Sequence, residues 1–159
     1  DKTPELIEAC KVSLLDRGFG QKSGANGSGW GKANKVNLWA RAKDGNRAYS
    51  MLRELITKNI APNLWDFHPP YQMDGNCGYT SGVCEMLCYS SDDIIELLPA
   101  LPEEWKNGSV KGLCARGGYS LDFTWENGEI KSLSVYSSCG KKTARIKTGD
   151  EIKTVKTVG

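Results

Sequence analysis

The chain has 159 residues, of which 25% are charged, and a formal net charge of +2 at pH 7. Its acidic and basic residues are well mixed, so charge gives no reason to expect binding to nucleic acid or to an acidic membrane surface. No stretch approaches the ~18 apolar residues of a membrane-spanning helix. The sequence therefore predicts a soluble protein with one good core or two small ones.

The first predicted helix has a capping residue and a proline at its start. Thr3 suits the N-cap position, Pro4 suits the first helical position, and Gly18 ends the pattern. The expected buried face carries Leu6, Cys10 and Leu14. The glycine-rich stretch 18–31 follows this helix instead of a strand and lacks the Gly-Lys-Ser/Thr ending, which argues against a phosphate-binding loop.

Two further helices are predicted over 32–43 and 46–58, with Asp44 and Gly45 between them. The second of these has the clearer apolar stripe, at intervals of three and four residues. This stripe comprises Ala48, Met51, Leu52, Leu55 and Ile56. Short connections predict that the helices pack as antiparallel neighbours.

The segment 63–78 concentrates chemically useful side chains. It holds the only histidine together with carboxylates, side-chain amides and aromatic rings, among them His68, Asp66, Asp74, Gln72, Asn76, Trp65, Phe67 and Tyr71. Pro69 and Pro70 exclude helix at the residues before them, and Asp74 to Asn76 is expected to form a turn with Gly75 at positive φ. A stiff loop with aromatic faces and polar groups suits a sugar site. The alternative is a structural connector whose Asp and Asn only cap a turn.

A fourth helix is predicted over 79–89. Cys84 and Cys88 lie one turn apart and could suggest a metal, but the chain offers no second cysteine pair nearby, and we expect buried free thiols and no metal site. Glu85 either points into a cavity or pairs with an arginine. Its role stays open on sequence grounds.

The composition changes at Ser90. Residues 98–102, Leu-Pro-Ala-Leu-Pro, predict a linker, and five segments beyond it alternate apolar and polar residues as strands do. These strands are predicted over 110–116, 119–125, 130–136, 143–147 and 152–158. Asn127 and Gly128 indicate a hairpin turn. The class is therefore α+β, with helices first and an antiparallel β domain second.

Several of these segments, in the same order, resemble the C-terminal part of the inverting α-L-fucosidases of glycoside hydrolase family 95. The resemblance covers about residues 3 to 138 and is most specific at His68-Pro-Pro-Tyr-Gln-Met-Asp-Gly-Asn76. The other matching segments are Thr3-Pro-Glu-Leu, Arg17-Gly18, Gly29-Trp30, Lys35-Val-Asn-Leu-Trp-Ala-Arg41, Asp44-Gly-Asn-Arg-Ala-Tyr49, Asn63-Leu64, Leu97-Leu-Pro-Ala-Leu-Pro102 and Val110-Lys-Gly-Leu-Cys-Ala-Arg-Gly-Gly118.

The resemblance implies that residues 1–90 are the last helices of an (α/α)6 barrel and that residues 91–159 form the C-terminal antiparallel β domain. It also implies that the acid glutamate and the base asparagines lie in an N-terminal part of the enzyme. The chain begins Asp1-Lys-Thr-Pro4, with no visible export signal. The family nevertheless suggests an exported or periplasmic bacterial protein.

The resemblance also implies roles for four side chains. Asp74 matches the catalytic aspartate, which polarises the asparagine that activates the attacking water, and His68, Gln72 and Asn76 would line the fucose subsite. The implied partners are a fucosylated glycan and the N-terminal part of the enzyme, with no cofactor. Cys77 departs from the family, which usually has an aromatic residue there. Asn34 departs too, where relatives often carry a larger aromatic residue or a histidine.

Two other functions remain open from the sequence. One is a non-catalytic carbohydrate-binding or structural module, in which the central loop and β domain bind sugar without chemistry. The other is a fragment that has no activity of its own, because barrel helices without their partners expose apolar stripes. Under the enzyme hypothesis the chain alone is expected to be inactive.

Overall fold

The computed structural model describes residues 4–18, 27–91 and 93–158. Its first half is helical, with α1 at Pro4–Arg17, α2 at Gly29–Arg41, α3 at Gly45–Asn59 and α4 at Met73–Leu87. Thr3, the predicted N-cap of the first helix, lies outside the described residues, as does most of the glycine-rich stretch. Within the described ranges, no helix combines the length and apolar character needed to cross a membrane.

The end of α1 is as predicted, whereas its predicted buried face is only partly buried. Gly18 takes φ +50°, and its N–H donates to the carbonyls of Leu14 and Leu15 at 3.2 and 3.0 Å, an arrangement that glycine adopts without strain. Leu14 lies in the helical core, but Leu6 is 56% exposed and Cys10 is also exposed. The reason is that α1 packs only sparsely against the other described helices, with α2 as its main neighbour.

A buried lysine of α2 completes the end of α1. The Nζ atom of Lys35 donates to the carbonyl of Gly18 at 2.8 Å, and Lys35 is almost fully buried. Carbonyls at a helix C-terminus attract cations. Burial, together with the nearby Arg17 charge, lowers the pKa of the Lys35 ammonium, so this cap holds its charge at an electrostatic cost.

The closest contact in the helical half is between α2 and α4. Gly78 lies against Ala33, and Gly82 lies against Val36, in both cases with no space for a Cβ atom. Asn37 adds a hydrogen bond from its Nδ2 atom to the carbonyl of Gly78 at 2.8 Å. Small residues on one side of α4 therefore let two backbones approach.

The stripe predicted on the third helix is confirmed at four of its five positions. Ala48, Met51, Leu52 and Leu55 are buried, whereas Ile56 is 47% exposed. Asp44 begins α3 as its N-cap, because its side chain accepts a hydrogen bond from the N–H of Arg47 at 3.0 Å.

The second half forms two sheets, which confirms the α+β class. The seven strands are β1 Cys88–Ser90, β2 Ile95–Leu97, β3 Gly108–Ala115, β4 Tyr119–Glu126, β5 Glu129–Ser137, β6 Thr143–Thr148 and β7 Glu151–Lys156. One sheet has the order β1-β2-β6-β7 and the other β3-β4-β5. All neighbouring pairs are antiparallel except β2 and β6, which run parallel. The predicted hairpin joins β4 and β5, with Asn127 and Gly128 at φ 51° and 78°.

The proline-bounded stretch 98–102 is packed and does not act as a free linker. Ala100 is buried in the helical core, and the backbone of Ala100 and Leu101 lies directly against Gly45 at the start of α3. The chain passes from α4 into β1 without a loop. Met86 belongs to the helical core, and the next residue, Leu87, belongs to the core of the sheets. The two halves therefore meet along this stretch.

The six cysteines are free thiols, and the burial expected of Cys84 and Cys88 is only partial. Cys10, Cys77, Cys114 and Cys139 are exposed, and Cys84 and Cys88 are half-buried. Burial raises the pKa of the Cys88 thiol to about 12, so this thiol stays protonated and unreactive at neutral pH.

Candidate functional site

The loop between α3 and α4 is held by its own backbone hydrogen bonds. The N–H of Phe67 donates to the carbonyl of Asn59 at 2.6 Å, and the N–H of Gln72 donates to the carbonyl of Asp66 at 3.2 Å. The Pro69-Pro70 peptide bond is cis. The predicted stiffness of this segment therefore comes from short-range pairing as well as from the two prolines.

The turn predicted at Asp74 to Asn76 is wrong, because α4 begins at Met73 and includes these residues in its first turn. Gly75 does not take a positive φ. A Cβ atom on Gly75 would instead overlap the carboxyl group of Asp66. Glycine is needed here for close approach to Asp66 and not for an unusual backbone conformation.

Asn76 uses both polar atoms of its side chain to hold the loop. Its Oδ1 atom accepts from the N–H of Asp66 at 2.9 Å, and its Nδ2 atom donates to the carbonyl of Leu64 at 2.7 Å. Each bond joins the first turn of α4 to the segment before the prolines. Among the described residues, Asn76 is thus engaged in fixing the backbone.

His68 and Gln72 meet at the start of α2. The Oγ atom of Ser28 lies 2.6 Å from Nδ1 of His68, and Oε1 of Gln72 accepts from the N–H of Trp30 at 2.8 Å. Gly29, at φ +55°, lies against both side chains without space for a Cβ atom. Nε2 of Gln72 and Nε2 of His68 take no part in these contacts. His68 is exposed and Gln72 is half-buried.

Asp74 is an exposed residue in the first turn of α4. In the part of the chain that the structure describes, its carboxylate has no hydrogen bond or ion pair. An acidic side chain in the first turn of a helix stabilises that helix. Two uses fit this arrangement: an acidic first-turn residue that only stabilises the helix, and a carboxylate presented to a partner group outside the described residues.

Asp66 is the residue whose environment the sequence did not predict. It is 0% exposed, and neither of its side-chain oxygens has a hydrogen-bond partner among the described residues. Burial raises the pKa of the Asp66 carboxyl, against the opposing effect of the His68 and Lys32 charges. The sequence feature that could have indicated this burial is the alternation of side chains in an extended segment. Trp65 and Phe67, on either side of Asp66, are both exposed, so Asp66 faces the interior.

Two aromatic rings of the loop are stacked and partly open. The centroids of Trp65 and Tyr71 are 4.6 Å apart with the rings tilted by 35°, and Trp65 is 52% exposed. Exposed ring faces of this kind suit contact with the C–H groups of a sugar. A cavity of about 380 Å³ lies elsewhere, between α1 and α2. Of the four candidate side chains, His68 and Asp74 are exposed, and Gln72 and Asn76 are half-buried.

Glu85 pairs with an arginine, the simpler of its two predicted roles. Its carboxylate accepts from Nη2 and Nε of Arg41 at 2.8 and 3.2 Å. This hydrogen bond raises the pKa of Arg41. In the described ranges, no three His, Cys, Asp or Glu side chains are grouped so that they could hold a metal ion.

Both halves of the chain match models of one enzyme family. Residues 1–87 match the glycosyl hydrolase family 95 catalytic domain, and residues 89–158 match the glycoside hydrolase family 95 C-terminal domain. The match to a catalytic domain favours the enzyme over a non-catalytic module.

Three named relatives are similar over most of this chain. Alpha-L-fucosidase 2 of Arabidopsis thaliana is 34% identical over 86% of it, probable alpha-fucosidase A of Aspergillus oryzae 35% over 77%, and probable alpha-fucosidase A of Aspergillus niger 31% over 89%. The aligned parts are only 17%, 19% and 20% of these relatives. Matches to both family domains, in the order helices then sheets, show that the chain belongs to glycoside hydrolase family 95.

Proposed function

We propose that this chain is the C-terminal portion of an α-L-fucosidase-like hydrolase, which cleaves α-L-fucosyl linkages with inversion when joined to an N-terminal part. The observation that carries the proposal is the match of residues 1–87 to a family 95 catalytic domain. The three relatives named as fucosidases suggest the sugar.

The open surface around His68 is explained by the missing part of the enzyme. The four helices are then the last helices of an (α/α)6 barrel, the β domain begins near residue 91, and the other barrel helices supply the remaining walls of the site. The chain by itself is therefore expected to bind its glycan poorly and to have no hydrolytic activity.

Asp74 has the properties that the water-activating side of an inverting site needs. Inversion requires an acid on one face of the sugar and a base-side group roughly 6.5–9.5 Å away, with room for water between them. Asp74 is exposed, has no competing partner among the described residues, and lies in the first turn of α4. It would polarise an amide from the N-terminal part, and that amide would hold the attacking water.

His68 and Gln72 are suited to recognise sugar hydroxyls. Their contacts with Ser28 and Trp30 use Nδ1 of His68 and Oε1 of Gln72, so neither Nε2 atom is engaged in these contacts. Asn76, expected to line the same subsite, contributes through the loop backbone that it holds in place. A substrate hydroxyl could still share its Oδ1 atom, which accepts only one hydrogen bond.

The test uses the complete enzyme and a 2'-fucosylated oligosaccharide. We expect release of fucose with inverted configuration at C1, which NMR detects before mutarotation. Asp74→Asn should lower kcat by about 10²- to 10⁴-fold while the thermal midpoint stays close to that of the parent. The matched control is Asp122→Asn, which should keep full turnover. Asp122 lies in the β domain, where its carboxylate accepts a hydrogen bond from the N–H of Gly112. Undiminished turnover by Asp74→Asn would refute its role.

A further inference from the structure

The buried carboxyl group of Asp66 has no role in the proposed reaction, yet it lies directly beneath the residue after Asp74. We propose that Asp66 is a positioning residue, which fixes the first turn of α4 and so sets the direction of the Asp74 side chain. This inference rests on the proposed function, because it assumes that Asp74 acts in catalysis.

Three separate contacts join Asp66 to the residues on both sides of Asp74. Gln72 donates its N–H to the carbonyl of Asp66, Asn76 accepts from the N–H of Asp66, and Gly75 lies against the carboxyl group. The first two fix the backbone of Asp66, and the third places its side chain under the helix. Movement of the carboxyl would therefore move the turn that carries Asp74.

The burial of Asp66 supports a local role. With 0% exposure, its side chain cannot be reached by a donor from the solvent or from another part of the enzyme without rearrangement. A buried polar group without a hydrogen bond lowers stability by about 1–3 kcal/mol relative to a satisfied one. Such unfavourable groups are found where a functional site has to be held in one geometry.

The contact with Gly75 allows this role to be tested by size and shape. Gly75 has ordinary helical backbone, so alanine is excluded only by the Asp66 carboxyl. Gly75→Ala should push the carboxyl and the turn apart. In Asp66→Ala the carboxyl group that supports the turn is missing. When Asp66→Ala and Gly75→Ala are combined, the new methyl group at position 75 partly fills the space that the carboxyl group occupied.

The experiment measures kcat and KM of the complete enzyme on a 2'-fucosylated oligosaccharide for four variants. Because a displacement of about 1 Å can cost about 10²-fold in rate, we expect Asp66→Ala and Gly75→Ala each to lower kcat by about 10- to 100-fold. KM should change by less than about threefold, since mainly the transition state is affected. Asp66→Asn keeps the shape of the side chain and should retain most of kcat. The double variant, Asp66→Ala with Gly75→Ala, should have a higher kcat than the worse of the two single variants.

Three results would overturn the inference. They are full turnover by Asp66→Ala, full turnover by Gly75→Ala, and a double variant no better than the worse single one. If Asp66→Ala does not fold, Gly75→Ala and Asp66→Asn decide the question. A loss of activity that follows only the folded fraction, with kcat per folded molecule unchanged, also contradicts positioning.

The same series separates the two proposals. If the parent hydrolyses the substrate and Asp74→Asn is inactive while Asp66→Ala is fully active, only the positioning role fails. If the parent does not hydrolyse fucosides, the proposed function fails. Positioning is then decided by the backbone amide NMR shifts of Asp74 and Gly75, which should change in Asp66→Ala and stay nearly constant in Asp66→Asn.

Discussion

Asn76 holds the backbone of Asp66 through a 2.9 Å hydrogen bond, and its other polar atom reaches the carbonyl of Leu64 at 2.7 Å. Asn76→Ala would leave both backbone groups without these partners. We expect the free energy of unfolding to fall by about 1–3 kcal/mol, measured by urea unfolding of this chain. Asn34→Ala is the control, because Asn34 has no side-chain hydrogen bond among the described residues, and it should change stability by less than about 0.5 kcal/mol. Equal stabilities of the two variants would contradict the bridging role.

The contact between Gly82 and Val36 predicts a cost for added volume. A Cβ atom on Gly82 would lie 2.6 Å from Cγ1 of Val36. Gly82→Ala should therefore destabilise the chain by about 1–3 kcal/mol, measured by thermal and urea unfolding. The Val36→Ala substitution removes the obstructing methyl groups. In that background, Gly82→Ala should therefore be much less destabilising. Additive effects of the two substitutions would show that the helices can separate without strain.

The buried Asp66 carboxyl predicts that the difference in stability between the parent and Asp66→Asn depends on pH. The folded-state pKa of Asp66 is raised by burial, so the folded chain binds its proton at pH values where the unfolded chain has released it. The stability that this bound proton contributes is fully present below the pKa of Asp66 in the unfolded chain, about 3.9. It is lost as the pH rises through the pKa of Asp66 in the folded chain. We expect Asp66→Asn to be more stable than the parent at neutral pH.

The measurement is urea unfolding of both proteins from pH 3 to pH 8. The stability advantage of Asp66→Asn should shrink as the pH falls and reach its minimum below the unfolded pKa. Lys32 and His68 carry the neighbouring charges that oppose the shift, and the Lys32 ammonium is also paired with Glu54 at 3.2 Å. An advantage that is independent of pH would mean that Asp66 titrates alike in both states.

The ion pair between Arg41 and Glu85 predicts that Glu85 has no part in the reaction. The Nε and Nη2 atoms of Arg41 both donate to the Glu85 carboxylate, and such partly exposed pairs contribute about 0–1 kcal/mol. Glu85→Gln in the complete enzyme should leave kcat within about threefold of the parent, with a small loss of stability. A fall of about 100-fold in kcat without unfolding would instead identify Glu85 as a reacting acid.

The sequence predicted those parts of the fold that follow from local periodicity. The α3 stripe from Ala48 to Leu55 repeats at helical spacing, and the hairpin at Asn127 and Gly128 needs only residues that tolerate positive φ. Gly75 was misinterpreted because a glycine between Asp and Asn is typical of a turn. Its real constraint is a contact with Asp66, nine positions earlier, and no local pattern encodes that contact.

The candidate site could be predicted only as a segment and not as a geometry. The dense run of polar and aromatic residues located it, and the family resemblance supplied roles for Asp74 and His68. The burial of Asp66 could not be derived, because carboxylates usually face solvent. Contact of Gln72 with the start of α2 joins residues 42 positions apart, which depends on how the helices pack.

Met86 and Leu87 are neighbours on the last turn of α4, yet each serves a different core. A disturbance that loosens this turn must weaken both halves at once, so heating should give a single cooperative transition. For the same reason, a β half expressed from residue 91 onward would lack Leu87 and strand β1. A functional graft of that half would have to carry the end of α4 with it.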